Sequence, residues 1–513
     1  MPEGHHVVRA DHEPPGPPTV SARRLLLHAQ HEAFVLMRLD CAVCRSEGHA
    51  PRSQVLLVAR GREVLATLYQ IGGDMLRDGE AGLSEAAWHR LGVAEGDPIV
   101  IRHPPALGSA SILRRRIFGR RLDAAEMKSI VGDIAAGRCS EIHLAAFITA
   151  CSTLPLDLDE VVHLTRAMVG AGRQLAWPNA QVIDKHSVGG LPGNRTTPII
   201  VAILAAKGLV VPKTSSRAIT SPAGTADMME TLTTVDMDIA AMRRVVEGEG
   251  ACLVWGGAVD LSPADDLLIR VERVLEVDTP GQMVASVLSK KLAAGCSHVV
   301  IDIPVGPTAK VRSQEDAEAI AAMLTAVGRA CGVTVRCVAT DGTQPVGRGI
   351  GPALEARDVL AVLRQQEDAP ADLRRRACLL AGAALELAGR AAAGNGAALA
   401  AATLADGRAH ATFQRICEAQ GGLREPPRST VSRPLIAERS GRVIAINNRV
   451  LARLAKLAGA PDDKAAGIDL HVRLGSEVIA GEPLMTVHAE AAGELAYALD
   501  FARAHPDILV IEP

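Results

Sequence analysis

Gln181-Val182-Ile183-Asp184-Lys185-His186-Ser187-Val188-Gly189-Gly190-Leu191-Pro192-Gly193-Asn194-Arg195-Thr196-Thr197 runs from an apolar triplet through a stretch rich in glycine, hydroxyl and base into residues 198–206, which are apolar almost throughout. A short strand, a polar loop and a helix in that order make half of a parallel crossover unit. The pattern recurs. Leu209-Val210-Val211 leads into Thr214-Ser215-Ser216-Arg217-Ala218-Ile219-Thr220-Ser221-Pro222-Ala223-Gly224-Thr225. Val299-Val300-Ile301 leads into residues 304–310, Val333-Thr334-Val335 into residues 341–347, and Cys252-Leu253-Val254 supplies a fifth strand. The alternation predicts a mostly parallel sheet with helical crossovers, whose ligands bind beyond the carboxyl ends of the strands. Four strand-end loops then meet on one rim, the first beginning at Asp184 and the second at Thr214.

Those loops carry the chemistry of an anion site. Glycines let backbone N–H groups come close to a phosphoryl oxygen, Ser and Thr add donors, and Lys and Arg add charge. No Gly-Lys-Ser/Thr closes a GxxxxG, so nucleoside triphosphate hydrolysis is not indicated.

Bulk properties narrow the partners. With 513 residues the chain exceeds one core, and its formal charge of −3 offers no global field for nucleic acid or membrane. Ten aromatic residues, 3 Trp, 2 Tyr and 5 Phe, leave few stacking platforms for single strands. The ten cysteines, scattered along a chain with no apolar leader, fit reduced thiols of a cytoplasmic protein. Apolar runs fall short of the roughly 20 residues a membrane-spanning helix needs.

The fold class expected is α/β multidomain. Residues 1–20 read as a flexible lead-in, 21–115 as an N-terminal β-rich accessory domain and 116–180 as a helical domain. Residues 181–425 form the α/β phosphate- and substrate-binding domain, and 426–513, after Pro426-Pro427, a C-terminal α+β domain. Gly475, Val478, Gly481 and Leu484 have the spacing of a biotinyl or lipoyl half-repeat, but no lysine marks an apolar hairpin tip.

Lys185-His186-Ser187-x-Gly189-Gly190, Ser215-x-Arg217 through Gly224-Thr225, and Ala285-Ser286-x-x-Ser289-Lys290-Lys291 together resemble the thymidine/pyrimidine-nucleoside phosphorylase family. Gly-Asn-Arg-Thr-Thr and Ser-Arg-Ala-Ile-Thr-Ser-Pro-Ala-Gly-Thr are similar to its longer branch, which has an extra N-terminal domain and includes thymidine-phosphorylase-like proteins and AMP phosphorylases. The resemblance implies phosphorolysis: inorganic phosphate attacks C1′ of a nucleoside or nucleoside monophosphate, the base leaves, and a pentose 1-phosphate remains. It implies phosphate as co-substrate with no cofactor and no metal, and a homodimer or higher homo-oligomer formed through the helical domain.

By the same resemblance Lys185 and Ser187 contact phosphate, with Ser215 or Ser216, Thr197 and Thr225 as further donors, and Gly190 allows close approach. Ser216, Arg217, Ala218, Ile219, Thr220, Ser221 and Thr225 surround the substrate, Asp278 is the catalytic proton donor, and Ser286, Lys290 and Lys310 complete the contacts. An acid suits the chemistry because a base anion leaves poorly near neutral pH. Asp278 also reads as a turn residue before Thr279-Pro280, and Asn194 or Thr196 as a helix cap. One extra residue at Leu191-Pro192-Gly193 leaves Thr196 and Thr197 both eligible, with Thr197 preferred.

Where the shorter enzymes carry a His-Thr pair this chain has Ser221-Pro222, and their substrate-gripping Tyr and Arg have no clear counterpart near Leu268 to Arg273. Thymidine and AMP therefore both stand as substrates. Arg217 and Lys310 are extra cations that a 5′-phosphate would need. A related magnesium-dependent phosphoribosyltransferase would use Asp265-Asp266, which read instead as charges at a helix N-terminus after Ser262-Pro263. A non-catalytic nucleotide-binding protein would bind without turnover. Cys41-x-x-Cys44 with His49 is a weak metal motif, since no second pair accompanies it.

Overall fold

The structure, a computed structural model, describes residues 19–29, 32–178, 180–218, 221–277 and 279–513. The lead-in to residue 18, Ile219, Thr220 and the expected acid Asp278 lie outside the described residues. The chain divides into two compact units, Met1–Ala110 with Ala136–Ser140, and Ser111–Ala135 with Glu141–Pro513.

The first unit is a closed barrel. Strands β1 (Thr19–Arg24), β2 (Phe34–Arg38), β3 (Gln54–Ala59), β4 (Arg62–Ile71), β5 (Glu80–Leu83) and β6 (Pro98–Arg102) close in the order β1-β5-β2-β4-β3-β6, with α1 (Ala42–Ser46) and α2 (Glu85–Leu91). Alternation explains it: Val55, Leu57 and Ala59 of β3 point inward while their neighbours face out. Closure leaves no edge strand exposed. Cys41 and Cys44 are buried here as free thiols, and burial, with Cys41 beside it, pushes the Cys44 thiol up to about 11.

The second unit begins with a helical bundle: α3 (Ala110–Ile117), α4 (Ala124–Ala135), α5 (Glu141–Thr153) and α6 (Leu158–Ala171). Asp157 caps α6 by accepting from Glu160 N at 2.9 Å, and Glu160 returns the bond to Asp157 N at 3.2 Å. Glu160 also meets the buried Arg116 Nη1 at 2.8 Å. Removing either partner of such a buried pair costs about 3–5 kcal/mol.

The α/β region follows as β7 (Ile183–Ser187), α7 (Thr197–Ala206), β8 (Val211–Ser215), α8 (Thr225–Glu230), α9 (Ile239–Glu249), β9 (Ala251–Trp255), α10 (Pro263–Leu275), α11 (Pro280–Ala293), β10 (His298–Val305), α12 (Gln314–Ala330) and β11 (Thr334–Asp341). After it come β12 (Gly349–Ile350), α13 (Pro352–Leu363), α14 (Ala371–Leu387), α15 (Gly396–Ala405) and α16 (Arg408–Ala419). Every pairing among β7 to β11 is parallel: β11-β10-β7 in one sheet, β8-β9 in another, linked by the parallel bridge Val182↔Val210. Helix α7 is apolar on all sides because it is buried on all sides, with Ile199, Ile200, Val201, Ile203 and Leu204 at most 1% exposed. Each such side chain contributes about 1.5–3 kcal/mol. Helices α10 and α11, expected within the α/β domain, pack on α4, α5 and α6 and so complete the bundle.

The C-terminal α+β part holds β13 (Val431–Ile436), β14 (Gly441–Ile446), α17 (Asn448–Leu457), β15 (Gly467–Leu470), β16 (Glu477–Val478), β17 (Pro483–Ala489), α18 (Ala492–Ala504) and β18 (Leu509–Glu512). Its sheets run β12-β15-β17-β13 and β16-β14-β18, so β12 carries the α/β chain into this part. Among the described residues no helix is long and apolar enough to cross a membrane.

Candidate functional site

Both opening loops start later than the sequence suggested. Asp184, Lys185, His186 and Ser187 continue β7, and Thr214 and Ser215 end β8. The apolar run stops at Ile183, yet the strand goes on because its polar side chains find partners far along the chain. Asp184, fully buried, meets Lys213 Nζ at 3.2 Å and Lys291 Nζ at 2.5 Å. Burial opposes its ionisation, but the two lysines hold its carboxyl below the usual range.

Strand alternation sends Lys185 and Ser187 to the opposite face. Lys185 is 1% exposed, and its Nζ donates to Thr196 Oγ1 at 2.9 Å and lies 3.7 Å from Asp302 Oδ2. Burial lowers this ammonium to about 8, against the pull of Asp302. Asp302, in the middle of β10, gathers Ser187 Oγ at 2.9 Å, Asn194 Nδ2 at 3.0 Å and Thr340 Oγ1 at 2.6 Å. Of the two threonines eligible at the start of α7, Thr196 takes the Lys185 contact; Thr197 is the next residue, 7% exposed. Thr196 is the N-cap of α7 but makes no side-chain cap bond.

The loops do converge. A Cβ at Gly190, whose φ is +79°, would lie 2.6 Å from the Lys310 amide N, so the first and third loops touch only because that residue is glycine. Lys310 itself is exposed. Pro192 O accepts from Val346 N at 3.2 Å and joins the first loop to the fourth, and Gly342 N donates to Val305 O at 2.8 Å. Arg195 Nη1 donates to Thr225 Oγ1 at 3.1 Å, joining the first loop to the second. Ser187 and Ser215 each stand five residues past the bridged pair Val182↔Val210. The Ser215 hydroxyl is buried with no hydrogen-bond partner among the described residues.

The second loop is braced from within. Asp227 Oδ2 accepts from Ala218 N at 2.6 Å and Gly224 N at 2.8 Å, Ser216 O from Ala226 N at 3.3 Å, and Ser221 Oγ donates to Ala223 O at 2.7 Å. Arg217, expected as an extra cation, already has carboxylate partners. It pairs with Glu230 at 2.7 Å and Asp227 at 3.3 Å, and lies 4.8 Å from the Trp255 ring centre. Its guanidinium holds the Glu230 carboxyl down at about 2. Lys464 Nζ adds a second cation to Glu230 at 2.8 Å.

Ser286 and Lys290 share one face of α11 at i and i+4. They meet at Asp265, where Ser286 Oγ donates at 2.9 Å and Lys290 Nζ sits at 2.6 Å, with Asp266 at 3.4 Å. Asp265 and Asp266 do lie in the first turn of α10, and both face this ammonium. Although burial opposes it, Asp265 drives the Lys290 pKa upward. Lys291, about 100° round the helix, instead reaches Asp184 in β7, so neighbouring lysines face different elements as helical geometry requires. Among the described residues, Ser286 and Lys290 contact Asp265 and Asp266 rather than the strand-end loops. His186 is half-buried, and burial followed by Lys291, Lys213 and Lys185 pushes its imidazole pKa well below the usual value.

Asp302, Arg195 and Glu355, whose Oε2 accepts from Arg195 Nε at 2.5 Å, are central to this arrangement and were not singled out from sequence. A lone Asp inside the apolar run His298–Val305 was the available signal for the first.

Comparison with known proteins identifies the family. Residues 110–172 match the helical bundle domain of a glycosyl transferase family and residues 179–410 its a/b domain. Residues 442–508 match the pyrimidine nucleoside phosphorylase C-terminal domain. The fold and its matched regions thus define a glycosyl transferase. A protein of Chelativorans sp. (strain BNC1) named "Putative thymidine phosphorylase" is 62% identical over 502 residues, covering 97% of this chain and 99% of its own. One of Tolumonas auensis with the same name is 60% identical over 499 residues, covering 97% and 99%. The crystal structure of anthranilate phosphoribosyltransferase from Thermus thermophilus shares the fold, at a TM-score of 0.52 and 22% identity over 60% of this chain and 98% of that one. The chain belongs to the thymidine/pyrimidine-nucleoside phosphorylase family, in its longer branch.

Proposed function

We propose that the protein is a nucleoside phosphorylase acting on thymidine. Inorganic phosphate held at the ends of β7 and β8 attacks C1′ through one of its oxygens. The C1′–N1 bond breaks, its electron pair leaves with thymine, and 2-deoxyribose 1-phosphate remains. The observation that carries this reading is the buried Lys185 ammonium beside Ser187, one strand from the unpaired Ser215 hydroxyl. Fixed donors of this kind stabilise an anion without reorganising at the moment of reaction. Asp278 is proposed as the acid that delivers a proton to the departing base, following the family pattern. Ser286 and Lys290, preset by Asp265, are proposed to bind the nucleoside.

AMP, which would yield ribose 1,5-bisphosphate, is the competing substrate within the longer branch. Arg217 favours the nucleoside, because Glu230 and Asp227 already neutralise the charge a 5′-phosphate would need. The reading also includes a homo-oligomer formed through the helical bundle. It is tested by incubating the full-length protein with phosphate and thymidine, uridine, AMP, CMP or UMP, then quantifying free base. Phosphate-dependent release is expected to be greatest from thymidine. Base release from AMP alone would transfer the assignment to the nucleotide, and release from none would overturn it.

A further inference from the structure

We propose that Arg195 is a positioning residue, a latch that joins the first two strand-end loops and aims the Thr225 hydroxyl at the bound phosphate. The inference rests on the phosphorolysis reading above and adds a residue to it. One guanidinium divides its donors among three elements. Nε meets Glu355 Oε2 of α13 at 2.5 Å, Nη1 meets Thr225 Oγ1 at 3.1 Å, and Nη2 meets Ala223 O at 2.9 Å. The Arg195 side chain is 11% exposed and that of Glu355 0%, so the pair is shielded from solvent.

The consequence follows from hydroxyl chemistry. Thr225 Oγ1 carries one proton and two lone pairs. By accepting from Arg195 it keeps its own proton free to donate, and a phosphate oxygen at the rim is the acceptor. Ala223 O also takes the Ser221 hydroxyl at 2.7 Å, so Arg195 closes the same turn from the other side. Glu355 neutralises the guanidinium and is itself anchored by Gly351 N at 3.3 Å, so Arg195 orders the donors without offering phosphate a free charge. Lysine cannot replace it: a single ammonium keeps the Glu355 pair but lacks the planar fork that spans Thr225 and Ala223.

The test measures inorganic phosphate affinity by isothermal titration calorimetry on the full-length protein, alongside KM for phosphate and thymidine and the melting temperature. Arg195→Lys is expected to melt close to the wild type while binding phosphate at least tenfold more weakly, with KM for thymidine changed less than threefold. Arg195→Ala is expected to lose phosphate affinity likewise, and millimolar guanidinium to restore part of it. Wild-type phosphate affinity in Arg195→Lys would overturn the latch, as would equal weakening of phosphate and thymidine. If Arg195→Ala does not fold, Arg195→Lys decides alone. Should the wild type bind phosphate yet release no base, the phosphorolysis reading fails while calorimetry still decides the latch; no phosphate binding at all overturns both.

Discussion

Lys185 Nζ donates to Thr196 Oγ1 across 2.9 Å, linking the end of β7 to the start of α7 beneath the first loop. Burial brings this ammonium to about 8, so it loses its charge within the range an assay covers. Phosphate binding needs the charged form, and KM for phosphate is therefore expected to stay level to about pH 8 and to rise above it. Lys185→Arg should remove that break, because guanidinium remains charged throughout. The stability effect has the opposite sign. Between about 8 and the unfolded value of 10.5 the unfolded chain binds more protons, so the penalty for burying Lys185 is fullest below 8 and is relieved as pH rises. A phosphate KM that does not change between pH 7 and 10 would remove Lys185 from the site.

Asp302 is the counter-charge in this arrangement. Asp302→Asn keeps the size of the side chain but removes the ion-pair partner of the buried Lys185, which is expected to cost about 3 kcal/mol. The pH break in phosphate KM should then move below 8. Chemical denaturation and the pH profile measure the two effects separately.

At Gly190 a methyl group would meet the Lys310 amide at 2.6 Å, with φ at +79°. Gly190→Ala should displace the third loop from the first and lower kcat/KM roughly 100-fold, as expected for a misplacement of about 1 Å. Circular dichroism should show an intact fold. Unchanged kinetics would mean that the contact between these loops is not used.

Glu230 occupies Arg217, and this pairing offers a handle on specificity. Glu230→Gln leaves Arg217 and Lys464 less compensated, so kcat/KM for thymidine 5′-monophosphate relative to thymidine should rise about tenfold, equivalent to about 1.4 kcal/mol. An unchanged ratio would show that Arg217 does not face the 5′ end of the substrate.

Much of this was legible in the chain. Val299-Val300-Ile301 and Cys252-Leu253-Val254 are strands, residues 198–206 form a buried helix, and the parallel order follows from the alternation. What escaped was long-range. Asp184 and Lys185 read as loop because their compensation comes from Lys213, Lys291 and Asp302, up to 117 positions away, and hydrophobic periodicity does not register ion pairs. Arg217 looked like a free cation because Glu230 sits on the following helix. Asn448 in the C-terminal part, which donates to Thr308 Oγ1 and Gly342 O at 3.0 Å each, braces two of the rim loops from 106 and 140 residues away, and nothing local marks it.

Phosphorus NMR of the full-length protein with thymidine and inorganic phosphate tests the central claim most directly, because it observes the nucleophile itself. A sugar 1-phosphate resonance growing in step with free thymine, as inorganic phosphate declines by the same amount, is the predicted result. Thymine released without a phosphate ester, or no thymine while the protein is folded and phosphate-bound, would contradict the account.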